Sequence, residues 1–365
     1  GDQRGPRIPL TPHPVISPTA STPETMTDAP RNQHFEVLIV GGGTAGITVA
    51  AQLLQADNPP RVAILDPAEK HYYQPLWTLV GGGVVSKEES ERLEADVIPA
   101  GATWIQDAAT GFDPENDAVV TAANGTLTYD YLVVCPGIQI NWEAIPGLAE
   151  SLGKNGVCSN YSYEHVDYTW ETAQRIAGEG GPVRALFTQP TGAVKCGGAP
   201  QKVMYLTADH LRRSGKLADA DVEFFSPGQV IFGVTKFAET LEKVVARYGI
   251  ETNFGHELIE VRGDQREAVF RVVGDDGEPT ERVLPFDMLH ATPPMSAPDF
   301  LARSPLANDD GWVDLDKHTL QHVRYPNVFG LGDAGSTPNA KTGAAIRKQA
   351  PTVSKNLLAV RAGGG

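Results

Sequence analysis

Cysteine is scarce in this chain: three residues in 365 cannot build a disulfide scaffold, and each has to be read on its own. Long apolar runs are missing too; none approaches the roughly 18–20 residues that a membrane-crossing helix needs. Basic residues are outnumbered, 30 against 45 acidic, and the net charge of −15 excludes a surface built to hold nucleic-acid phosphates. Residues 1–33 lack apolar periodicity. Pro6, Pro9, Pro12, Pro14, Pro18, Pro23 and Pro30 interrupt any helix or central strand, so a disordered arm is expected there. The arm also lacks the continuous apolar core of a secretory signal. The chain begins at Gly1, and Met26, just ahead of the first apolar strand, is a candidate original start. The chain as a whole has the composition of a soluble globular protein, 41% hydrophobic and 21% charged, with length for roughly two to three domains.

What is present is organised around one stretch, Phe35 to Leu54. It reads as a buried strand, a glycine turn and a helix. Gly41, Gly43 and Gly46 fall on the G-x-G-x-x-G pattern. The first glycine permits a tight turn, the second lets backbone approach a pyrophosphate, and the third lets helix and strand pack closely. Free N–H groups at the helix start would face the phosphates. The pattern has its context: Val37 to Val40 is apolar, Val62 to Asp66 supplies a second strand, and Asp66 follows the third glycine by 20 residues, where an acid binds a ribose hydroxyl.

Downstream, the aromatics and prolines between Pro67 and Trp77 suit either a rigid loop beside a flat cofactor or a hydrophobic loop anchor. Residues 84–96 look helical, with a charged face, and Thr103 to Gln106 reads as a strand. Asn124-Gly125 between Ala118–Val120 and Thr126–Thr128 signals a hairpin. Tyr129 to Gly137 is a buried strand ending in a turn, and a helix is expected over Tyr161 to Ala177. A second βαβ unit follows: a strand from Pro182 to Thr188, a helix from Gln201 to Arg213, and a strand from Asp221 to Ser226. Phe237 to Arg247 is a further helix, and Leu258–Arg262 with Glu267–Val273 a strand pair. Val328 to Asp333 is a late buried strand, and Lys341 to Leu358 a final helix.

The loop of the second unit, Gln189 to Pro200, stands where a second phosphate loop would be. It has no glycine pair at the spacing that admits a pyrophosphate, and Pro190 removes an N–H donor, so NAD(P)H binding is disfavoured. Cys196 occupies the loop instead. Beside Lys195 and near a helix start, its thiol is expected to have thiolate character; the plain alternative is an inert interior thiol. Cys135, at the end of a buried strand, reads as a core thiol. No metal is expected.

The Gly loop with Asp66, the Tyr129–Gly137 strand and the Gly330–Asp333 strand end together resemble the flavoproteins with two dinucleotide-binding domains, built like glutathione reductase. In that family the aspartate of Gly332-Asp333 holds the ribityl chain of FAD. Within it, His71-Tyr-Tyr-Gln-Pro-Leu-Trp-Thr-Leu-Val-Gly81, Val194-Lys-Cys-Gly-Gly-Ala-Pro-Gln-Lys202, Leu289-His-Ala-Thr-Pro-Pro-Met-Ser296 and Ala340-Lys-Thr-Gly-Ala-Ala-Ile-Arg-Lys-Gln349 resemble the sulfide:quinone oxidoreductases, the mitochondrial type included. The match runs from about His34 to Val360.

The resemblance implies an α/β fold of two Rossmann-like domains: a discontinuous FAD domain over 34–160 and 285–360, and a second over 161–284 carrying Cys196. It implies hydrosulfide as reductant, FAD as cofactor, a quinone as electron acceptor and a small sulfane-sulfur acceptor (a thiol, sulfite or another sulfide). Cys196 matches one redox cysteine. Thr44, Ala45, Asp66, Gln74, Asp333, Lys341 and Thr342 match FAD contacts, alongside Gly41, Gly43, Gly46 and Gly332. Lys341 near the flavin ring would stabilise an anionic reduced flavin. Cys158 resembles a cysteine that relatives carry there, sometimes bonded to flavin, and is a second candidate catalytic thiol. In the family a further redox cysteine and amphipathic membrane-binding helices follow at the C-terminus, and this chain stops before both. A form without them is expected to bind membranes weakly or not at all and to turn over poorly. The expected location is the cytoplasmic face of a bacterial inner membrane or the cytoplasm, or the mitochondrial inner membrane in a eukaryote, with a homodimer left open. Two rivals share the frame: a type II NADH:quinone dehydrogenase, and a catalytically impaired flavin-binding form.

Overall fold

The computed structural model describes residues 33–274 and 277–364. Residues 1–32, and with them nearly all of the expected arm, lie outside the described residues; Gln33 already belongs to the first strand.

That strand, Gln33–Val40, becomes fully buried over its second half, because Val37 to Val40 are apolar on both faces and the sheet is covered on both sides. It pairs in parallel with Val62–Leu65 on one side and Thr126–Val134 on the other. The first sheet runs, in spatial order, Thr103–Ile105, Val62–Leu65, Gln33–Val40, Thr126–Val134, Ala118–Thr121 and Ala109–Asp113. The expected hairpin is present: Ala118–Val120 lies antiparallel to Thr126–Thr128. The far half of Thr126–Val134 instead takes Val328–Gly330 as a parallel partner. A strand from the end of the chain thereby reaches the centre of the first sheet.

One face of this sheet is closed by the helices Thr44–Leu54 and Gly343–Arg361. Val49, Ala50 and Leu53 of the first share a core with Ala350, Val353 and Leu357 of the second. The second sheet is wholly parallel, in the order Val157–Cys158, Met288–His290, Val183–Thr188, Ala220–Ser226 and Glu251–Phe254. Helices Val166–Gly178 and Ala199–Arg213 cover one face. A three-stranded antiparallel sheet, formed by His256–Arg262, Glu267–Val273 and Pro279–Pro285, shares the core on the other face. Val157–Cys158 and Met288–His290 are hydrogen-bonded into this second sheet, so we propose a second unit wider than the expected 161–284.

Two local expectations are corrected. Residues 84–96 are not a helix but a 3₁₀ turn (Lys87–Ser90), a strand (Glu91–Leu93) and a single helical turn (Glu94–Val97). The strand pairs antiparallel with Lys70–Tyr72, and Lys70 bridges Glu91 at 2.7 Å, so tertiary pairing overrides the local helix propensity. The helix expected from Tyr161 begins at Val166, because Tyr161 is drawn into the interior and its hydroxyl donates to the Lys195 carbonyl at 3.4 Å. Among the described residues, no helix is long and apolar enough to cross a membrane.

The tightest backbone approach in the first domain is at Gly46, where an added Cβ would stand 1.8 Å from the Gly41 carbonyl oxygen. Gly46→Ala should therefore destabilise the protein by about 1–3 kcal/mol or more in urea unfolding, with or without ligand.

Candidate functional site

The turn after the first strand is built for close approach. Gly41 takes φ +112°, and a Cβ there would lie 2.3 Å from the Cys135 carbonyl oxygen, against the end of the neighbouring strand. At Gly43, by contrast, a Cβ would meet nothing within 4 Å. The helix starting at Thr44 has no side-chain cap and no acidic residue in its first turn. Its first N–H groups and the open face of Gly43 thus form a cradle into which a pyrophosphate fits. Asp66 accepts the Gly42 N–H at 2.5 Å and the Ala68 N–H at 2.8 Å, so its carboxylate braces the turn from the second strand.

Residues distant in sequence close on this cradle. Gly332, at φ +74°, places its α-carbon where a Cβ would touch that of Ala45 at 3.4 Å, and its N–H donates to Gln349 at 2.9 Å. Asp333 follows directly. Lys341 donates from Nζ to the carbonyls of Asp333 and Gly335 at 2.7 and 2.9 Å, with its ammonium 3.7 Å from the centroid of the Trp312 ring. Thr342 caps the final helix by accepting the Ala345 N–H at 3.1 Å. Pro75 comes within 3.8 Å of the Cβ position of Gly343, which brings Gln74 to the same place. In the 67–77 segment Trp77 is an interior anchor, packed with Val80 and Val166, while the Gln74 side chain meets Lys195.

The Cys196 loop arrives from the second domain. The Cys196 N–H donates to the Lys341 carbonyl at 2.7 Å, so the loop is hydrogen-bonded to the segment that leads into the final helix. Cys196 adopts φ +55° and is partly exposed. The ammonium next to its sulfur is not that of the adjacent Lys195 but that of Lys202, at 3.6 Å. Lys195 instead points to Gln74 and lies 5.3 Å from the Trp77 ring and 5.7 Å from the Tyr161 ring. Burial pulls the Lys195 and Lys341 ammonium groups down to about 8, against the attraction of Asp333. The Asp333 carboxyl is pushed up by burial, against the attraction of both lysines.

Cys158 is not brought to this place. It is wholly buried in the second domain's core among Ala173, Val203 and Met204, donates to the Leu289 carbonyl at 3.5 Å, and is pushed up to about 12 by burial. A thiol that is neutral and packed in apolar surroundings is a poor nucleophile, which speaks against its assignment as catalytic. Cys135 is likewise buried behind the Gly41 carbonyl, its thiol raised by burial. Sequence reasoning gave no role to Lys202 or Tyr161, and it set Glu94 on the solvated charged face of the expected 84–96 helix, which its burial corrects. Glu94 is buried with Oε1 2.7 Å from the Cβ position of Gly42, backing the cradle beside Asp66. Lys202 could have been suspected from its place one helical turn into the helix that follows Cys196; the other two come close only through the fold.

Comparison with known proteins agrees with this geometry. Residues 35–185 match the family model described as pyridine nucleotide-disulphide oxidoreductase. The chain is 46% identical over 325 residues to the mitochondrial sulfide:quinone oxidoreductase of Dictyostelium discoideum, covering 88% of this chain and 70% of that protein. It is 44% identical over 327 residues to the mitochondrial sulfide:quinone oxidoreductase of Mus musculus, covering 90% and 71%. The solved sulfide:quinone oxidoreductase of Aquifex aeolicus superposes with a TM-score of 0.76 at 20% identity, over 91% of this chain and 77% of that one, a likeness of fold.

Two outcomes are expected. Gly43→Val should leave the unliganded protein within about 1 kcal/mol of the parent, since its side chain enters open space, yet abolish FAD binding measured by retained visible absorbance. Titration of the native protein with a thiol-reactive disulfide should modify Cys196 first, with Cys135 and Cys158 reacting only on unfolding.

Proposed function

The chain belongs to the sulfide:quinone oxidoreductase family, and from that membership we propose that it binds FAD and oxidises hydrosulfide by two electrons, with a quinone as acceptor. It is an enzyme, a flavin-dependent oxidoreductase. The observation that carries the proposal is the Cys196 N–H bond to the Lys341 carbonyl, which holds a partly exposed thiol against the segment assigned to the cofactor. A second dinucleotide loop would place a phosphate there; this chain places a sulfur.

FAD, when bound, supplies the two-electron relay between sulfur and quinone. Gly41, Gly43, Thr44, Ala45 and Gly46 would hold its pyrophosphate, Asp66 the adenosine ribose and Asp333 the ribityl chain, with Gln74, Gly332, Lys341 and Thr342 around the flavin. Cys196 takes the substrate sulfur: a sulfur–sulfur bond forms, the hydrosulfide proton is released to solvent, and the electron pair ends on the quinone, which takes up two protons. The Lys202 ammonium, 3.6 Å from the Cys196 sulfur, would attract an incoming anionic substrate to that position. The persulfide's outer sulfur then leaves to a small nucleophile such as a thiol or sulfite. Because quinones dissolve in lipid, the working place is a membrane surface, mitochondrial inner or bacterial cytoplasmic according to source.

Anaerobic addition of sulfide to FAD-loaded protein should bleach the visible flavin band, and NADH at the same concentration should not. Cys196→Ser should stop the bleaching, since a hydroxyl cannot form a persulfide. Reduction by sulfide at the parent rate in that variant would remove Cys196 from the mechanism, and rapid bleaching by NADH would move the assignment to an NADH:quinone dehydrogenase.

A further inference from the structure

The loop from Gln189 to Gly198 has little to hold it from within. At Gly192 and Gly197 a Cβ would meet nothing within 4 Å. Yet Cys196 sits at φ +55°, a left-handed conformation that costs a non-glycine residue free energy and persists only where surroundings enforce it. The enforcing contacts converge on its neighbour. The Lys195 N–H donates to the Met295 sulfur at 3.3 Å, its carbonyl accepts the Tyr161 hydroxyl at 3.4 Å, and its backbone forms a parallel bridge with Lys341. Its side chain donates to Gln74 across the site and faces the Trp77 and Tyr161 rings. Four separate stretches of chain therefore meet at one residue.

We propose that Lys195 is a positioning residue: a clip that joins the Cys196 loop to the Gln74 loop, so that loading of the cofactor and presentation of Cys196 are coupled. This rests on the reading that FAD occupies the first domain. The Lys195 side chain reaches Gln74 and that of Lys341 the Asp333 and Gly335 carbonyls, and both ammonium groups are attracted by the one Asp333 carboxylate in a partly desolvated pocket. An ammonium withdrawn from water is costly unless paired, and here part of its pairing is with a neutral amide. A cofactor whose flavin lies beside Gln74 would offer carbonyl oxygens as further acceptors for the Lys195 ammonium, which favours the clipped arrangement. The clip in turn holds the Cys196 backbone in its left-handed conformation and limits the approach of solvent-borne reagents to the sulfur. Lys202, which stands by the sulfur, stays outside this linkage because its partner is Cys196 itself.

The test uses the whole protein, FAD-depleted and FAD-loaded, with iodoacetamide as probe and the Cys196 peptide quantified by mass spectrometry. In the parent, FAD loading should slow Cys196 alkylation by about fivefold or more. Lys195→Met and Gln74→Leu should each reduce that ratio to below about twofold, and the double variant should go no further, because both changes cut one link. Lys195→Arg, which keeps the charge and the reach, should restore most of the ratio. The visible spectrum reads FAD binding independently. Parent protein that stays colourless counts against the FAD reading itself. A yellow Lys195→Met protein with the parent's ratio, or a double variant in which the two effects simply add, overturns the clip. Should Lys195→Met not fold, the Gln74→Leu and Lys195→Arg ratios decide by the same criteria.

Discussion

Everything at this site depends on one close approach of backbone to backbone, that of Gly46 to the Gly41 carbonyl. No side chain can be inserted there, so the first helix lies directly on the end of the first strand, and its N-terminus points at the turn. From this follow the open face at Gly43 and the contact of Ala45 with Gly332. That second contact matters as much as the first. Gly332 lies just past the strand Val328–Gly330, which comes from far along the chain to pair with Thr126–Val134. The cradle is thus closed by a segment distant in sequence, which reaches it only because Val328–Gly330 is paired into the first sheet.

The parts of this arrangement that were legible in the sequence are those whose cause is local. A glycine needed for a tight turn is needed whatever the rest of the chain does, so Gly41, Gly43 and Gly46 declare themselves by spacing. Buried parallel strands such as Val37–Val40 and Ala185–Thr188 declare themselves by being apolar on both faces. Where structure is imposed from a distance, the pattern misleads. Residues 84–96 carry good helix formers, and only their pairing with Lys70–Tyr72 makes them a strand and two turns. The neighbours of Cys196 are hidden for the same reason. Sequence adjacency pointed to Lys195, but at φ +55° the backbone turns that side chain towards Gln74 and leaves Lys202 beside the sulfur.

The three cysteines show how environment divides identical thiols. Cys135 and Cys158 lie within packed apolar layers where ionisation is opposed by desolvation, and no cation offsets it closely enough to reverse the direction. Cys196 alone is on a loop, partly exposed, with an ammonium at contact distance. The resemblance that made Cys158 a candidate rested on its place in sequence. Its place in space, facing Ala173 and Met204, is that of a core residue.

The charge distribution resolves an apparent conflict between an acidic protein and an anionic substrate. A net charge of −15 repels hydrosulfide at long range, but at physiological ionic strength such fields fade over about 8 Å. At Cys196 itself the local charge decides, and three lysines adjoin it through side chain or backbone. Lys202 touches the sulfur, Lys341 carries the carbonyl that binds the Cys196 N–H, and Lys195 is next in the chain. Asp333 offsets one of them only in part, because burial itself disfavours its charged form. The acidic exterior and the cationic interior are therefore compatible: the first governs solubility and long-range encounters, and the second favours a small anion once it has arrived.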